Sequence, residues 1–281
     1  MPEPQVLMTG LMFGESPRWH DGRLWFSDFG AGEVVAVGLD GRSEVVARIP
    51  AMPMGLGFLP DGRLLAVSAR DGHLLVSGSG QGLAAYADLS GLSRHPWGDM
   101  VVDGRGHAFV GNIGFDFPAG EFAPGSLAHV SPGGEVRPVA GGLAFPNGMA
   151  VTPDGKTLIL AETYAHRLTA FEVAEDGSLG GQRVWADLPG GFPDGICLDA
   201  EGAVWYSDVP GKRCVRVREG GQVLQAIGLD RGCFACALGG PDRQTLFLMA
   251  AEFPGTAGLA GGERTGQVLT TSAPAPGAGW P

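Results

Sequence analysis

Positive charge is scarce in this chain. Its 281 residues hold 19 Lys and Arg against 30 Asp and Glu, a net charge of −11. Binding nucleic acid through its phosphates needs a basic surface, so that class of partner is excluded. Long apolar runs are also missing. No stretch approaches the ~20 residues of a membrane-spanning helix, so no membrane partner is expected. The N-terminus shows no charged segment leading into an apolar one, and cytoplasmic residence is the default expectation. No long apolar stripe at the 3.6-residue period is found, so helix content should be low.

Cysteine is limited to Cys197, Cys214, Cys233 and Cys236. Cys233 and Cys236 form a CxxC pair. A structural zinc site needs a second pair, and Cys197 and Cys214 are far apart in sequence. A redox CxxC is expected near a βαβ pattern, which is absent. Buried free thiols are therefore expected. The histidines make no HExxH, and no Gly-x-Ser-x-Gly in a strand-turn-helix setting supports a serine nucleophile. His95 and His166 are left as supporting or substrate-contacting residues.

What is present is repetition. A polar turn recurs before a short apolar run at Asp21, Asp61, Asp103, Asp154, Asp199 and Asp242. The spacing is roughly 40 to 50 residues, the range of propeller blades. The runs are rich in Val, Leu, Phe and Trp and bounded by Gly or Asp, as in antiparallel hairpins. One such unit cannot bury its faces alone, whereas a ring of four-stranded units can. The expectation is an all-β, six-bladed β-propeller, one domain over residues 1–272. Gly266–Thr271 should complete a blade with the strand around Val6–Leu11 and close the ring. An Ala/Pro/Gly-rich tail, 273–281, should be loosely held.

One segment is written twice. Phe145-Pro146-Asn147-Gly148 and Phe192-Pro193-Asp194-Gly195 differ at the third residue, and each reads as a Pro-x-Gly turn before an apolar run. Pro53-Met54-Gly55, Pro96-Trp97-Gly98-Asp99 and Gly14-Glu15-Ser16-Pro17 occupy the matching place in other copies. The innermost strands of a propeller line its channel, so Glu15, Asn147 and Asp194 should converge, with Asp99 nearby. These are hard oxygen donors, suited to Ca²⁺, Mg²⁺ or Mn²⁺. The alternative is that each simply bonds local backbone in a turn.

These motifs resemble the SMP-30/gluconolactonase/LRE-like family of six-bladed propellers. The resemblance is carried by Gly14-Glu15-Ser16-Pro17-Arg18-Trp19, Phe145-Pro146-Asn147-Gly148-Met149-Ala150, and Pro193-Asp194-Gly195 with Asp199 and Gly202-Ala203-Val204-Trp205. It implies a divalent cation (Ca, Mg, Mn or Zn) on Glu15, Asn147 and Asp194. It also implies that Asp194 doubles as general base; Asp99 is the second candidate. The implied activity is hydrolysis of a lactone, with a small-molecule lactone or ester as substrate. The alternatives are an esterase or lactonase for a less polar substrate and a non-catalytic metal-binding propeller. One departure bears on substrate. Sugar-lactonase members carry an Asn-Asp pair where this chain has Gly98-Asp99, and the place of a family Arg is taken by Pro96. Two polar groups that would hold a sugar are thus absent. With Trp97, Phe115, Phe117 and Tyr164 nearby, a more apolar channel mouth is expected.

Overall fold

The structure, a computed structural model, describes residues 3–78, 82–253 and 263–280. The residues at the two extremes of the expected ring and tail, 1–2 and 281, lie outside the described residues. The expected fold is observed: six four-stranded antiparallel sheets form a six-bladed β-propeller. The single helical element among the described residues is one 3-10 turn, Thr163–Ala165. Blades I to V follow chain order. Blade VI takes Gly232–Gly239, Thr245–Ala251 and Gly266–Ser272 from the C-terminal part and Gln5–Leu11 from the N-terminal part. Gln5 pairs with Thr270 and Leu11 with Gly266. The ring is thus closed by hydrogen bonds between chain ends, as the strand compositions predicted.

The innermost strands are Gly14–His20, Pro53–Phe58, Trp97–Val102, Pro146–Val151, Pro193–Leu198 and Gly232–Gly239. Each contacts the inner strand of the next blade around the ring. Pro-x-Gly is therefore not a turn but the start of an inner strand. Proline is tolerated there because the first residue of an edge strand need not donate to a ladder. Burial between blades supplies the cohesion. Leu65 and Val67 of blade II pack on Met100, Val102 and Val110 of blade III, all fully buried. Each such side chain contributes about 1.5–3 kcal/mol.

The recurring aspartates lie at the opposite end of the inner strands. Five of them do local work: Asp61, Asp103, Asp154, Asp199 and Asp242 each accept a backbone N–H two residues on, at 2.9–3.1 Å. They are turn-forming side chains. The tail, expected to be loose, is pinned across this end of the ring. Ala273 and Ala275 are buried. The Ala278 N–H donates to Leu198 O at 2.9 Å and the Gly277 N–H to Arg243 O at 2.8 Å. Trp280 Nε1 donates to Phe58 O at 2.8 Å. The composition that suggests looseness, small residues and prolines, is what lets an extended segment lie flat on strand ends. Removing residues 273–281 should lower Tm by at least ~5 °C, from lost apolar burial and uncovered strand ends; thermal melts of full-length and truncated chains check this.

A buried histidine pair bears on pH. His107 Nδ1 lies 2.8 Å from His129 Nε2. Burial, then the Arg137 and His107 charges, lowers the His129 pKa from 6.5 to about 4. Above 6.5 neither the folded nor the unfolded form is protonated at this position. As pH falls below that value the unfolded chain takes the proton first, so this group's share of stability is lost between 6.5 and about 4. His129→Gln should flatten part of the decline in Tm between pH 7 and 4. Identical slopes for the two proteins would contradict the assignment.

Candidate functional site

Every inner hairpin carries a register shift near its first residues: after Glu15, Pro53, Trp97, Pro146, Pro193 and Cys233. A bulge of this kind re-aims the side chain beside it. Gly14, Pro53, Trp97, Pro146 and Pro193 pair with the ends of the second strands, Asp28, Ser68, Asn112, Glu162 and Asp208. The next residue in each is Glu15, Met54, Gly98, Asn147 or Asp194, and all five line one cavity of about 780 Å³. The expected convergence of Glu15, Asn147 and Asp194 is therefore observed. Asp99 also lines the cavity, but from one position further along its strand.

That offset gives Asp99 different surroundings. Its Oδ1 accepts from Ser16 Oγ at 2.6 Å and from the Met100 N–H at 2.8 Å. Ser16 Oγ in turn accepts the Leu56 N–H at 2.8 Å, so one hydroxyl ties blades I, II and III. Arg18 lies 3.7 Å from Asp99 and donates to Met100 O at 2.6 Å. Burial raises the Asp99 pKa, while Arg18, Ser16 and the Met100 N–H oppose the rise.

Glu15 and Asp194 are less well compensated. Burial, then repulsion from Asp194 and Asp99, holds Glu15 well above the usual carboxylate range. Asp194 is raised by burial and then by Asp99, with the Asn147 amide opposing. Among the described residues, Asp194 Oδ1 is one of few buried side-chain polar atoms without a hydrogen-bond partner. Buried polar atoms are usually paired, so an orphaned carboxylate oxygen asks for a ligand. Asn147 donates Nδ2 to Thr163 Oγ1 at 3.3 Å, and Thr163 Oγ1 donates to Pro193 O at 2.7 Å. This leaves the amide oxygen of Asn147 without a protein donor among the described residues.

Buried polar side chains hold the loops above the floor, a feature the sequence reading missed. Asp28 accepts the Met12 and Phe13 N–H groups at 3.0 Å. Glu162 accepts the Ala144 N–H at 2.8 Å and pairs with Arg167 at 2.7 Å. Asn112 donates to His95 O at 2.9 Å, and Asp208 accepts the Gly211 N–H at 3.0 Å. The visible signal was a polar residue closing the apolar runs Arg23–Asp28, Ala108–Asn112, Thr157–Glu162 and Val204–Asp208. Ser16, Met52 and Phe145 sit at positive φ, of 50°, 72° and 60°. Residues other than glycine rarely adopt that conformation, and all three flank the cavity floor or line its wall.

The walls are largely apolar. Phe117, Phe145 and Tyr164 line one side, with Phe145 and Tyr164 rings 4.8 Å apart and Phe117 and Phe145 5.1 Å apart. Phe115 backs this cluster from behind. Trp97, expected near the mouth, instead packs between blades at 1% exposure. It holds the register position of Pro146 and Pro193, opposite the last residue of the second strand. Gly98 leaves room: a Cβ there would meet only Gly111 O and Ile113 Cγ1, both at 3.8 Å. Neither His95 nor His166 is among the lining residues. His95 pairs with Asp116 at 3.0 Å, and His166 Nδ1 lies 2.7 Å from Gly191 O. The cysteines are free thiols, as expected. The structure adds that Cys197 Sγ lies 3.7 Å from Cys236 Sγ, between blades V and VI.

The family description SMP-30/Gluconolactonase/LRE-like region matches residues 13–252, spanning all six inner strands. The chain belongs to this family. A relative from Pseudomonas putida named 6-deoxy-6-sulfogluconolactonase is 28% identical, covering 98% of this chain and 96% of its own. A regucalcin from Xenopus laevis is 27% identical over 88% of this chain and 85% of its own. The crystal structure of a calcium-binding protein, regucalcin, from Agrobacterium tumefaciens superposes with a TM-score of 0.81. It covers 99% of this chain and 95% of that one at 23% identity, which establishes the shared fold.

The electrostatics of the cavity floor set the stability of one variant. Asp194→Asn removes a buried carboxyl that burial and Asp99 penalise. In chelator-treated protein at neutral pH, Tm should rise by roughly 2–6 °C. A fall would show that the carboxylate is satisfied without a ligand.

Proposed function

We propose that the protein is a divalent-cation-dependent hydrolase that opens a lactone ring. The observation carrying this reading is the meeting of Glu15, Asn147 and Asp194 at the floor of an apolar cavity, with Asp194 Oδ1 buried and unpartnered. The residues fit a hard cation. Among the described residues no group of three His, Cys, Asp or Glu is placed to hold an ion. The donor set would be Glu15 and Asp194 with the amide oxygen of Asn147, an all-oxygen set suited to Ca²⁺, Mg²⁺ or Mn²⁺ rather than a thiolate-seeking metal. When bound, such a cation supplies Lewis-acid polarisation of a carbonyl. The lactonase name of the Pseudomonas relative supports the substrate class.

The chain's own groups divide the remaining work. A cation held at the floor would keep Asp194 ionised, and Asp194 would then accept the proton of the attacking water. Asp99 is the less suited base, because Ser16 and the Met100 N–H already occupy its Oδ1. The aromatic wall of Phe117, Phe145 and Tyr164 holds the body of the substrate and keeps bulk water from the floor. Gly98 offers no hydroxyl-binding group at a register position that faces the cavity, which favours lactones with fewer hydroxyls.

Asp194→Ala should lose bound metal and reduce kcat/KM for an alkyl δ-lactone by at least ~100-fold. Full activity in chelator-treated wild type would end the proposal, and metal-dependent Tm without turnover would favour a binding protein. Wild type should prefer the alkyl lactone to gluconolactone, and Gly98→Asn should narrow that preference. A wild-type preference for gluconolactone would overturn the substrate assignment.

A further inference from the structure

Two basic side chains, Arg48 and Arg70, line the cavity. Arg70 lies in the loop after the blade II strand Leu64–Ser68, and it lines the same cavity as Glu15, Asn147 and Asp194. Its backbone is fixed. The Arg70 N–H donates to Ala51 O at 3.0 Å and the Ala69 N–H to Met52 O at 2.9 Å, binding the loop to the segment that carries Met52. Its guanidinium has no ion pair or hydrogen bond among the described residues. The adjacent Asp71 faces His73 instead, at 3.6 Å. Arg48 lines the cavity too; it is held by the Glu33 carboxylate, and its guanidinium remains exposed.

In a chain of net charge −11, the exposed and unpaired Arg70 guanidinium stands with Arg48 on a largely apolar lining, two positive charges on the cavity that holds Glu15 and Asp194. Every other polar group on which the floor depends is tied to a named partner or aimed at the ion site. A guanidinium presents a rigid donor fork that matches an oxyanion in two parallel hydrogen bonds.

We propose that Arg70, with Arg48 on the same lining, binds an anionic group such as a carboxylate at the mouth, at the end of the substrate remote from the reacting ring. Resting on the lactone reading above, this makes the substrate class an acidic lactone: ring at the floor, apolar middle against Phe117, Phe145 and Tyr164, and anion at the arginines. Arg70 is a specificity-determining residue here and takes no part in bond breaking.

Calorimetric titration with 4-phenylbutanoate and its neutral amide, 4-phenylbutanamide, tests this without turnover. Wild type should bind the carboxylate at least ~10-fold tighter than the amide. Raising NaCl from 0.05 to 1 M should shrink that ratio. Arg70→Ala should abolish it and Arg70→Lys should keep part of it. Arg70→Gln, which keeps a polar amide on a shorter side chain without the charge, should also lose it and serves if the alanine variant does not fold. Equal binding of the two probes by wild type overturns the proposal. So does a ratio that survives in Arg70→Ala, because the carboxylate would then be held at the floor. Absence of lactone hydrolysis by wild type would instead overturn the lactone reading and leave this binding comparison intact.

Discussion

The structure depends on how closely the inner strands approach one another around the axis. A Cβ at Gly148 would lie 2.5 Å from Asp194 O, one at Gly55 2.6 Å from the Met100 nitrogen, and one at Gly195 2.6 Å from Ala235 Cβ. Glycine is therefore required where the inner strands of blades II, IV and V press on their neighbours. The residue before it, displaced by the bulge, is left to face the cavity. Proline, a variable residue and glycine are three parts of one device: start the strand, present a side chain, admit the neighbour. Where blades II, IV and V have glycine, blade VI has Ala235, and blades I and III place Ser16 and Asp99. There the space is taken by a hydrogen bond from hydroxyl to carboxylate that links the blades.

Bringing acidic residues to one floor has an electrostatic cost, and much of the surrounding structure offsets it. Asp99 is stabilised by Ser16, Arg18 and a backbone N–H. Glu15 and Asp194 are not stabilised to the same degree, and both are pushed toward protonation. Groups in this condition occur where a fold gives up stability for function. Rigidity nearby comes from fully buried anchors, Asp28, Glu162 and Asp208, each of which fixes a loop above the floor by accepting its backbone N–H groups. At the far end the pinned tail, 273–280, touches the ends of inner strands from several blades and braces the ring there.

The blade count and the convergence of Glu15, Asn147 and Asp194 were legible because repeated segments take up the same register, and in a closed ring the same register means the same distance from the axis. The recurring aspartates were legible as turns for the opposite reason: five of them complete their bonds within four residues. Trp97 was misplaced because a shift of one position in a strand turns a side chain to the other face. Nothing local in Pro96-Trp97-Gly98-Asp99 states which residue pairs with Asn112. The thiols of Cys197 and Cys236, 39 positions apart, meet only because their strands are neighbours in adjoining blades.

The sequence by itself determined the all-β class, the number of blades, the closure of the ring by the chain ends and the residue types offered to the axis. Those follow from patterns a few residues long, repeated at a fixed interval. Tertiary structure decided which of the polar residues are satisfied and which are left facing the cavity, that the tail is anchored, and that Arg70 has no partner among the described residues. Each of these depends on groups brought together from distant blades, where the partner is chosen by packing around the ring and leaves no mark in the neighbouring sequence.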